Sequence, residues 1–263
     1  MGNLLHVGLD VGSTTVKIVV LDSKLNIIYK NYERHFSDTK NTVCNVLEKL
    51  NKDYPNSQFT ISLTGSGAMS AANFLNLPFL QEVVSCKKAV EKYIPQTDVV
   101  IELGGEDAKI IYFDKFIEQR MNGTCAGGTG AFIDQMASLL DTDASGLNEL
   151  AKHYTTIYPI ASRCGVFAKT DIQPLLNEGA AKEDIAVSIF QAVVNQTISG
   201  LACGRPIKGN VAFLGGPLNY LSELRNRFIE TLNLTPEETI VPEEAHLFVA
   251  KGADITSIQN KQI

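Results

Sequence analysis

Residues 4–22 read LLHVGLDVGSTTVKIVVLD. Two apolar runs flank Gly12-Ser13-Thr14-Thr15, which has hairpin-turn chemistry, so the stretch predicts strand, tight turn, strand. A shift of 92 residues carries the pattern onto a second place in the chain. Gly8-Leu9-Asp10-Val11-Gly12 falls on Val100-Ile101-Glu102-Leu103-Gly104, Lys17-Ile18 on Lys109-Ile110, and Asp22 on Asp114. An acid, an aliphatic residue, a glycine turn, a lysine, an apolar strand and a closing aspartate recur without a gap. The period is too long for a solenoid. It predicts two similar lobes, each opening with a β-hairpin whose turn faces a shared cleft.

Working outward, a third strand follows each hairpin, over 26–32 and 116–121. The first lobe then continues with a helix over 39–52, a strand over 59–64 and a helical connection to Tyr93. In the second, apolar spacing (Phe132, Ile133, Met136, Leu139, Leu140) starts a helix near Thr129, and a long helical insertion covers 144–204. A strand over 211–214 ends in Gly215-Gly216-Pro217, a helix spans 218–232, Ile240-Val241 form a short strand, and the last helix starts at Glu243. Periods of 2 and 3.6 alternate, which is α/β. The expected partition is an N-terminal lobe over 1–95, a C-terminal lobe over 96–242, and a closing helix over 243–258 that packs back on the first.

The chain has 263 residues, 44% of them hydrophobic, enough for two modest cores. A net charge of -6 argues against a nucleic-acid or anionic-membrane surface. The most apolar stretch, 185–203, is interrupted by Gln191, Asn195 and Gln196 and predicts a buried helix, not a membrane span. Met1-Gly2-Asn3 runs into the first strand with no basic region or signal segment. Five cysteines without compact pairing suit a reducing cytoplasm better than a disulfide framework.

The first turn offers backbone N–H groups and hydroxyls from Gly12, Ser13, Thr14 and Thr15 to phosphate oxygens, and Asp10 is placed to hold Mg²⁺ through water. The second, Glu102-Leu103-Gly104-Gly105-Glu106-Asp107, offers carboxylates that orient a metal ion or an attacking water. Either alone is an ordinary β-turn; matching acids at one phase of two hairpins are the signal. Lys17 and Lys109 flank the phosphates or are plain strand-edge lysines. Gly215-Gly216-Pro217 and Asn219 give either a bare surface for adenine or ribose, or simply a helix start. Between these lies Asn122-Gly123-Thr124-Cys125-Ala126-Gly127-Gly128-Thr129-Gly130. A glycine loop entering a helix is a site for phosphate at Gly127, Gly128 and Thr129, and the same dipole favours a thiolate at Cys125. The alternative is a glycine turn around a buried thiol.

Together the two hairpins and the late Gly-Gly turn resemble the phosphate and adenosine motifs of the acetate and sugar kinase, heat-shock chaperone and actin ATPase superfamily. Asn-Gly-Thr-Cys-Ala-Gly-Gly-Thr-Gly at 122–130 and Ser-Arg-Cys-Gly-Val-Phe-Ala-Lys-Thr-Asp at 162–171 are similar to the activators of 2-hydroxyacyl-CoA dehydratases, which are grouped with the ATPase subunits of benzoyl-CoA reductase. The resemblance implies an actin-like fold of two ribonuclease-H-like lobes. It also implies a homodimeric ATPase that uses ATP and Mg²⁺, with one [4Fe–4S] cluster shared between copies through Cys125 and Cys164. Such an activator passes a low-potential electron from a ferredoxin- or flavodoxin-type donor to its dehydratase partner. Cys125 and Cys164 are the cysteines beside glycine turns that precede helices; two per chain make the required four only across a two-fold axis. Cys44, Cys86 and Cys203 read as core thiols, and the four histidines form no ligand set. Glu102 and Glu106 depart from the Asp-Ile-Gly-Gly-Gln-Asp of most such activators and resemble activator-like domains at the front of longer proteins fused to dehydratase-like modules. Two other readings are a small-molecule (sugar) kinase of the superfamily and a nucleotide-sensing module with blunted turnover.

Overall fold

A computed structural model describes residues 4–22, 24–122 and 127–259. It divides into two compact units, the chain up to Pro95 together with everything from Leu247 onward, and Gln96–His246.

The first unit opens with the hairpin β1 (Leu4–Val11) and β2 (Thr15–Leu21), followed by β3 (Ile27–Arg34) and α1 (Thr39–Asp53). Next come β4 (Gln58–Thr64), α2 (Met69–Leu75) and α3 (Glu82–Tyr93). The sheet order is β3-β2-β1-β4, antiparallel except for β1 beside β4. Strand β2 is apolar at Val16 and from Ile18 to Leu21, because both its faces are covered there. Val16, Ile18 and Val20 join Val7, Leu9 and Val11 against Val46 and Leu50 of α1, while Val19 and Leu21 face the other way. Asp38 caps α1, accepting from the Asn41 amide. The buried stripe of α1 is Thr42, Val46 and Leu50, spaced by four. Cys44, two residues off that stripe, turns to solvent, so the expectation of a core thiol there is wrong. Cys86 in α3 is buried as expected.

The second unit repeats the plan with β5 (Val99–Leu103), β6 (Ala108–Phe113) and β7 (Ile117–Met121), then α4 (Gly130–Ala137). The helical insertion comprises α5 (Ala144–Ala151), α6 (Gly165–Asn177) and α7 (Lys182–Asn195), and α7 runs on into a π-helical turn, Gln196–Leu201. Helix α7 is apolar on nearly every side and correspondingly buried. Among the described residues no helix is long and apolar enough to cross a membrane. Beyond the π turn Cys203 adopts a left-handed conformation (φ 45°) and is exposed, which corrects the second core-thiol expectation. Its sulfur is turned back onto the Gly200 carbonyl, 3.1 Å away.

Strand β8 (Val211–Leu214) lies parallel to β5, with the short β9 (Thr239–Ile240) beyond it, giving the order β7-β6-β5-β8-β9. The helix expected over 218–232 is two, α8 (Gly216–Tyr220) and α9 (Ser222–Leu232). The break at Leu221 is held from outside by Asn148, whose Oδ1 accepts from the Glu223 amide (2.9 Å), and from within α9 by Arg225, which donates to the Leu218 carbonyl (2.6 Å). Phe213 and Phe228 centre this unit's core with Phe132 and Phe190.

The closing helix α10 (Phe248–Gln259) starts five residues later than the sequence suggests. Glu244 takes a positive φ, and a short 3₁₀ turn (Ala245–Leu247) precedes the helix. Helix α10 covers the face of the first sheet that carries Val19 and Leu21. A Cβ on Gly8 would lie 2.0 Å from the Ala250 carbonyl oxygen, and one on Gly252 would lie 1.8 Å from that of Ser85. Glycine at both crossings therefore sets how closely α10 approaches β1 and α3.

Candidate functional site

The two hairpins match in three dimensions, not only in sequence. Asp10 pairs with Lys17 across β1 and β2, and Glu102 with Lys109 across β5 and β6. One backbone bond closes each turn, Gly12 N to Thr15 O (2.9 Å) and Gly104 N to Asp107 O (2.7 Å). In the first turn Asp10 is buried and its Oδ2 accepts from Lys17 Nζ at 2.8 Å. Gly12, Ser13 and Thr14 stay half-exposed, with the His35 ring braced against the Gly12 carbonyl.

The second turn carries more charge. Lys109, only 4% exposed, forms an ion pair with Asp107 and stands 3.9 Å from Glu102 Oε1. Asp107 occupies the position that Thr15 holds in the first unit, so here one lysine serves two carboxylates. Asn122 locks the turn's base, its Oδ1 accepting from the Ala108 amide at 2.8 Å and its Nδ2 donating to the Glu106 carbonyl. A Cβ on Gly104 would fall 2.1 Å from Asp107 Oδ1, so a larger residue there would have to displace that carboxylate.

Three stretches far apart in sequence converge on this turn. The first amides of α4 are spent on it, Gly130 N donating to Gly104 O (3.0 Å) and Ala131 N to Gly105 O (2.7 Å). A Cβ on Gly130 would touch both Gly104 O (3.2 Å) and Pro217 Cγ (3.4 Å), so the Gly215–Pro217 turn closes on the same point. Gly127, Gly128 and Thr129 are buried beneath it; Gly128 (φ 80°) lies against Gln196 at the start of the π turn. The start of α4 is therefore bolted to the second hairpin, and the Gly130 and Ala131 amides are not free for an anion. Gly216 opens α8 and Asn219 stands in its last turn, while Gly215 takes a positive φ of 89° with its amide bonded to Ala245 O (3.2 Å).

Cys125 lies outside the described residues. Gly127, which is described, packs against the chain before α6, where a Cβ on it would meet Arg163 O at 2.9 Å and Ser162 O at 3.0 Å. Gly127 thus meets the Ser162–Arg163 stretch backbone to backbone. Cys164 is half-exposed at the N-cap of α6, whose start packs on Gln135 and Met136 of α4. Val166 and Phe167, in the first turn of α6, are 68% and 66% exposed. Among the described residues no group of three His, Cys, Asp or Glu side chains is arranged to hold a metal ion. One turn escaped the sequence reading. Gly65-Ser66-Gly67 follows β4 just as Gly215-Gly216 follows β8, and the signal was available in a glycine pair directly after a strand that runs parallel to the acid-bearing one.

The BadF/BadG/BcrA/BcrD ATPase family matches residues 7–242. The 2-hydroxyisocaproyl-CoA dehydratase activator of Clostridioides difficile is 33% identical over 256 residues, 94% of this chain and 92% of that protein. The (R)-2-hydroxyglutaryl-CoA dehydratase activating ATPase of Acidaminococcus fermentans is 32% identical, with 80% and 81% covered. The solved activator of the 2-hydroxyisocaproyl-CoA dehydratase from Clostridium difficile with bound ADPNP superposes with a TM-score of 0.86 at 28% identity, covering 98% of this chain and 96% of that one. With its duplicated acid–lysine hairpins on an actin-like α/β fold, the chain belongs to the BadF/BadG/BcrA/BcrD ATPase family.

Proposed function

We propose that the protein is an ATP-dependent reductive activator. It acts in the cytoplasm as a homodimer sharing one [4Fe–4S] cluster. It takes one electron from a ferredoxin- or flavodoxin-type donor and passes it to a 2-hydroxyacyl-CoA dehydratase-like acceptor while ATP is hydrolysed to ADP and phosphate. The observation that supports this reading is the contact of Gly127, two residues after Cys125 in sequence, with the carbonyls of Ser162 and Arg163, just before Cys164. One chain offers two thiols; a four-thiolate set then needs a second copy on a two-fold axis. Exposed Val166 and Phe167 beside Cys164 give that copy an apolar surface to cover. The cluster supplies the one-electron chemistry when bound.

The chain's own residues bind nucleotide and transmit its state. Gly12, Ser13, Thr14 and Thr15 take phosphate oxygens, and Lys17 exchanges the Asp10 carboxylate for phosphate. Asp10, once released, would hold Mg²⁺ through water. Glu102 and Glu106 orient the attacking water, with Gly104, Gly105 and Asp107 shaping the second phosphate contact and Gly127, Gly128 and Thr129 beneath it. Gly215, Gly216 and Asn219 take the adenosine. Because α4 is hydrogen-bonded to Gly104 and Gly105, a shift of that turn with nucleotide state is passed to the Cys125 segment. Nucleotide moves this equilibrium only by its difference in affinity for the two positions. The start of α6 turns its positive end toward an anionic group at Cys164.

Anaerobic purification followed by iron and sulfide analysis tests the reading. About four of each per two chains are expected for the wild type. Cys125→Ser and Cys164→Ser should each lose them while ATP hydrolysis persists. Iron-free wild-type protein from strictly anaerobic cells would refute it.

A further inference from the structure

The turn after β4 is pressed against the first hairpin without any side chain between them. Strands β1 and β4 run parallel with Asp10 beside Thr64, so Gly65 is the first residue beyond the acid's neighbour. Gly65 has a φ of 100°, and a Cβ on it would lie 2.3 Å from Val11 O and 2.5 Å from Asp10 Oδ1. Gly67 N donates to the same Val11 carbonyl at 2.9 Å, and a Cβ on Gly67 would stand 3.1 Å from Val11 Cγ1.

The second unit holds the equivalent turn in the same way. Gly215, after β8, has a φ of 89°, and a Cβ there would lie 2.1 Å from Leu103 O, the counterpart of Val11. In the first unit the bare turn also meets a carboxylate. The Asp10 oxygen that Lys17 does not hold, Oδ1, rests where a side chain at residue 65 would be.

We infer that the Gly65–Gly67 turn is a positioning element for Asp10: Gly65 admits Oδ1 into one rotamer, and Gly67 fixes the carbonyl of the following residue, Val11. Its purpose is to present the carboxylate to a hydrated divalent cation accompanying the nucleotide, so the inference rests on the role given to Asp10 above. Neither glycine touches nucleotide in this account; both act through Asp10.

The test measures the factor by which Mg²⁺ tightens binding of a non-hydrolysable ATP analogue to the full chain, by calorimetry, alongside ATP turnover. Gly65→Ala should lower turnover about 100-fold, the scale of a catalytic group misplaced by an ångström. It should also reduce the Mg²⁺ tightening about tenfold, the worth of a charge-assisted hydrogen bond. Gly67→Ala needs its neighbours to yield by only a few tenths of an ångström and should fold; it should show the same change in smaller degree. It decides the matter if Gly65→Ala does not fold. In an Asp10→Asn background neither alanine should reduce the tightening further. An unchanged Mg²⁺ factor in Gly67→Ala, or equal losses with and without Asp10, would reduce the turn to a structural brace and overturn the inference. Full turnover and tightening in Asp10→Asn alone would instead remove the role of Asp10, and this inference with it.

Discussion

Replacing Asp254 with asparagine should flatten the fall in stability between pH 6 and pH 8. Asp254 sits in α10, fully buried, with Oδ2 accepting from the Leu21 amide at 2.8 Å beside a register shift between β2 and β3. Its Oδ1 has no hydrogen-bond partner among the described residues. Burial pushes the carboxyl up from its ordinary 3.8 to about 8, against a smaller lowering by the Leu21 bond. The folded state therefore keeps a proton that the unfolded chain has already lost. The stabilisation is complete below the unfolded value, falls as pH rises toward 8, and changes little above it. Between pH 6 and pH 8 the loss from this one group is about 2 kcal/mol. Tyr93, which feels the Asp254 charge, is itself pushed up to about 12, chiefly by burial, so it stays neutral throughout. The amide of Asp254→Asn keeps an acceptor for Leu21 but cannot ionise. Urea unfolding followed by far-UV circular dichroism suits a chain with no tryptophan. Wild type should lose about 2 kcal/mol more than the variant between the two pH values, a midpoint difference of about 1 M. Histidine titrations are common to both proteins and cancel. Equal pH slopes would refute the buried-proton account.

Three further outcomes are expected. Lys109→Met leaves Glu102 and Asp107 without their shared cation and should cost about 3 kcal/mol, with part regained in Lys109→Met plus Glu102→Gln, as thermal unfolding would register. Gly8→Ala puts a methyl group 2.0 Å from the Ala250 carbonyl oxygen and should cost about 3 kcal/mol, appearing first as faster amide exchange along α10. Asn148→Ala frees the Glu223 amide at the start of α9 and should cost about 1 kcal/mol by urea unfolding, with activity retained.

The sequence by itself determined the duplicated hairpins, because strand patterning and turn chemistry are local and both copies keep them in phase. Asp10 opposite Lys17 and Glu102 opposite Lys109 follow directly from that phase. Strand β8 was equally legible, an apolar run ending in Gly-Gly. What depends on neighbours was not legible. Cys44 lies within an apolar-looking segment, and only the docking of α1 through Thr42, Val46 and Leu50 turns it outward. At the break at Leu221 the freed Glu223 amide is taken by Asn148, 73 positions upstream in another helix, a partner that no window around 221 contains. The same holds for the site. Glycine spacing marked Gly127, Gly215 and Gly216 as special but left open whether ligand or protein would fill the space. Tertiary packing decided that Gly127 faces the Ser162–Arg163 backbone, that α4's first amides belong to the second turn, and that Gly65 shelters an Asp10 oxygen. A missing Cβ is visible in the sequence, whereas the atom that comes to occupy its place is chosen only when distant segments pack together.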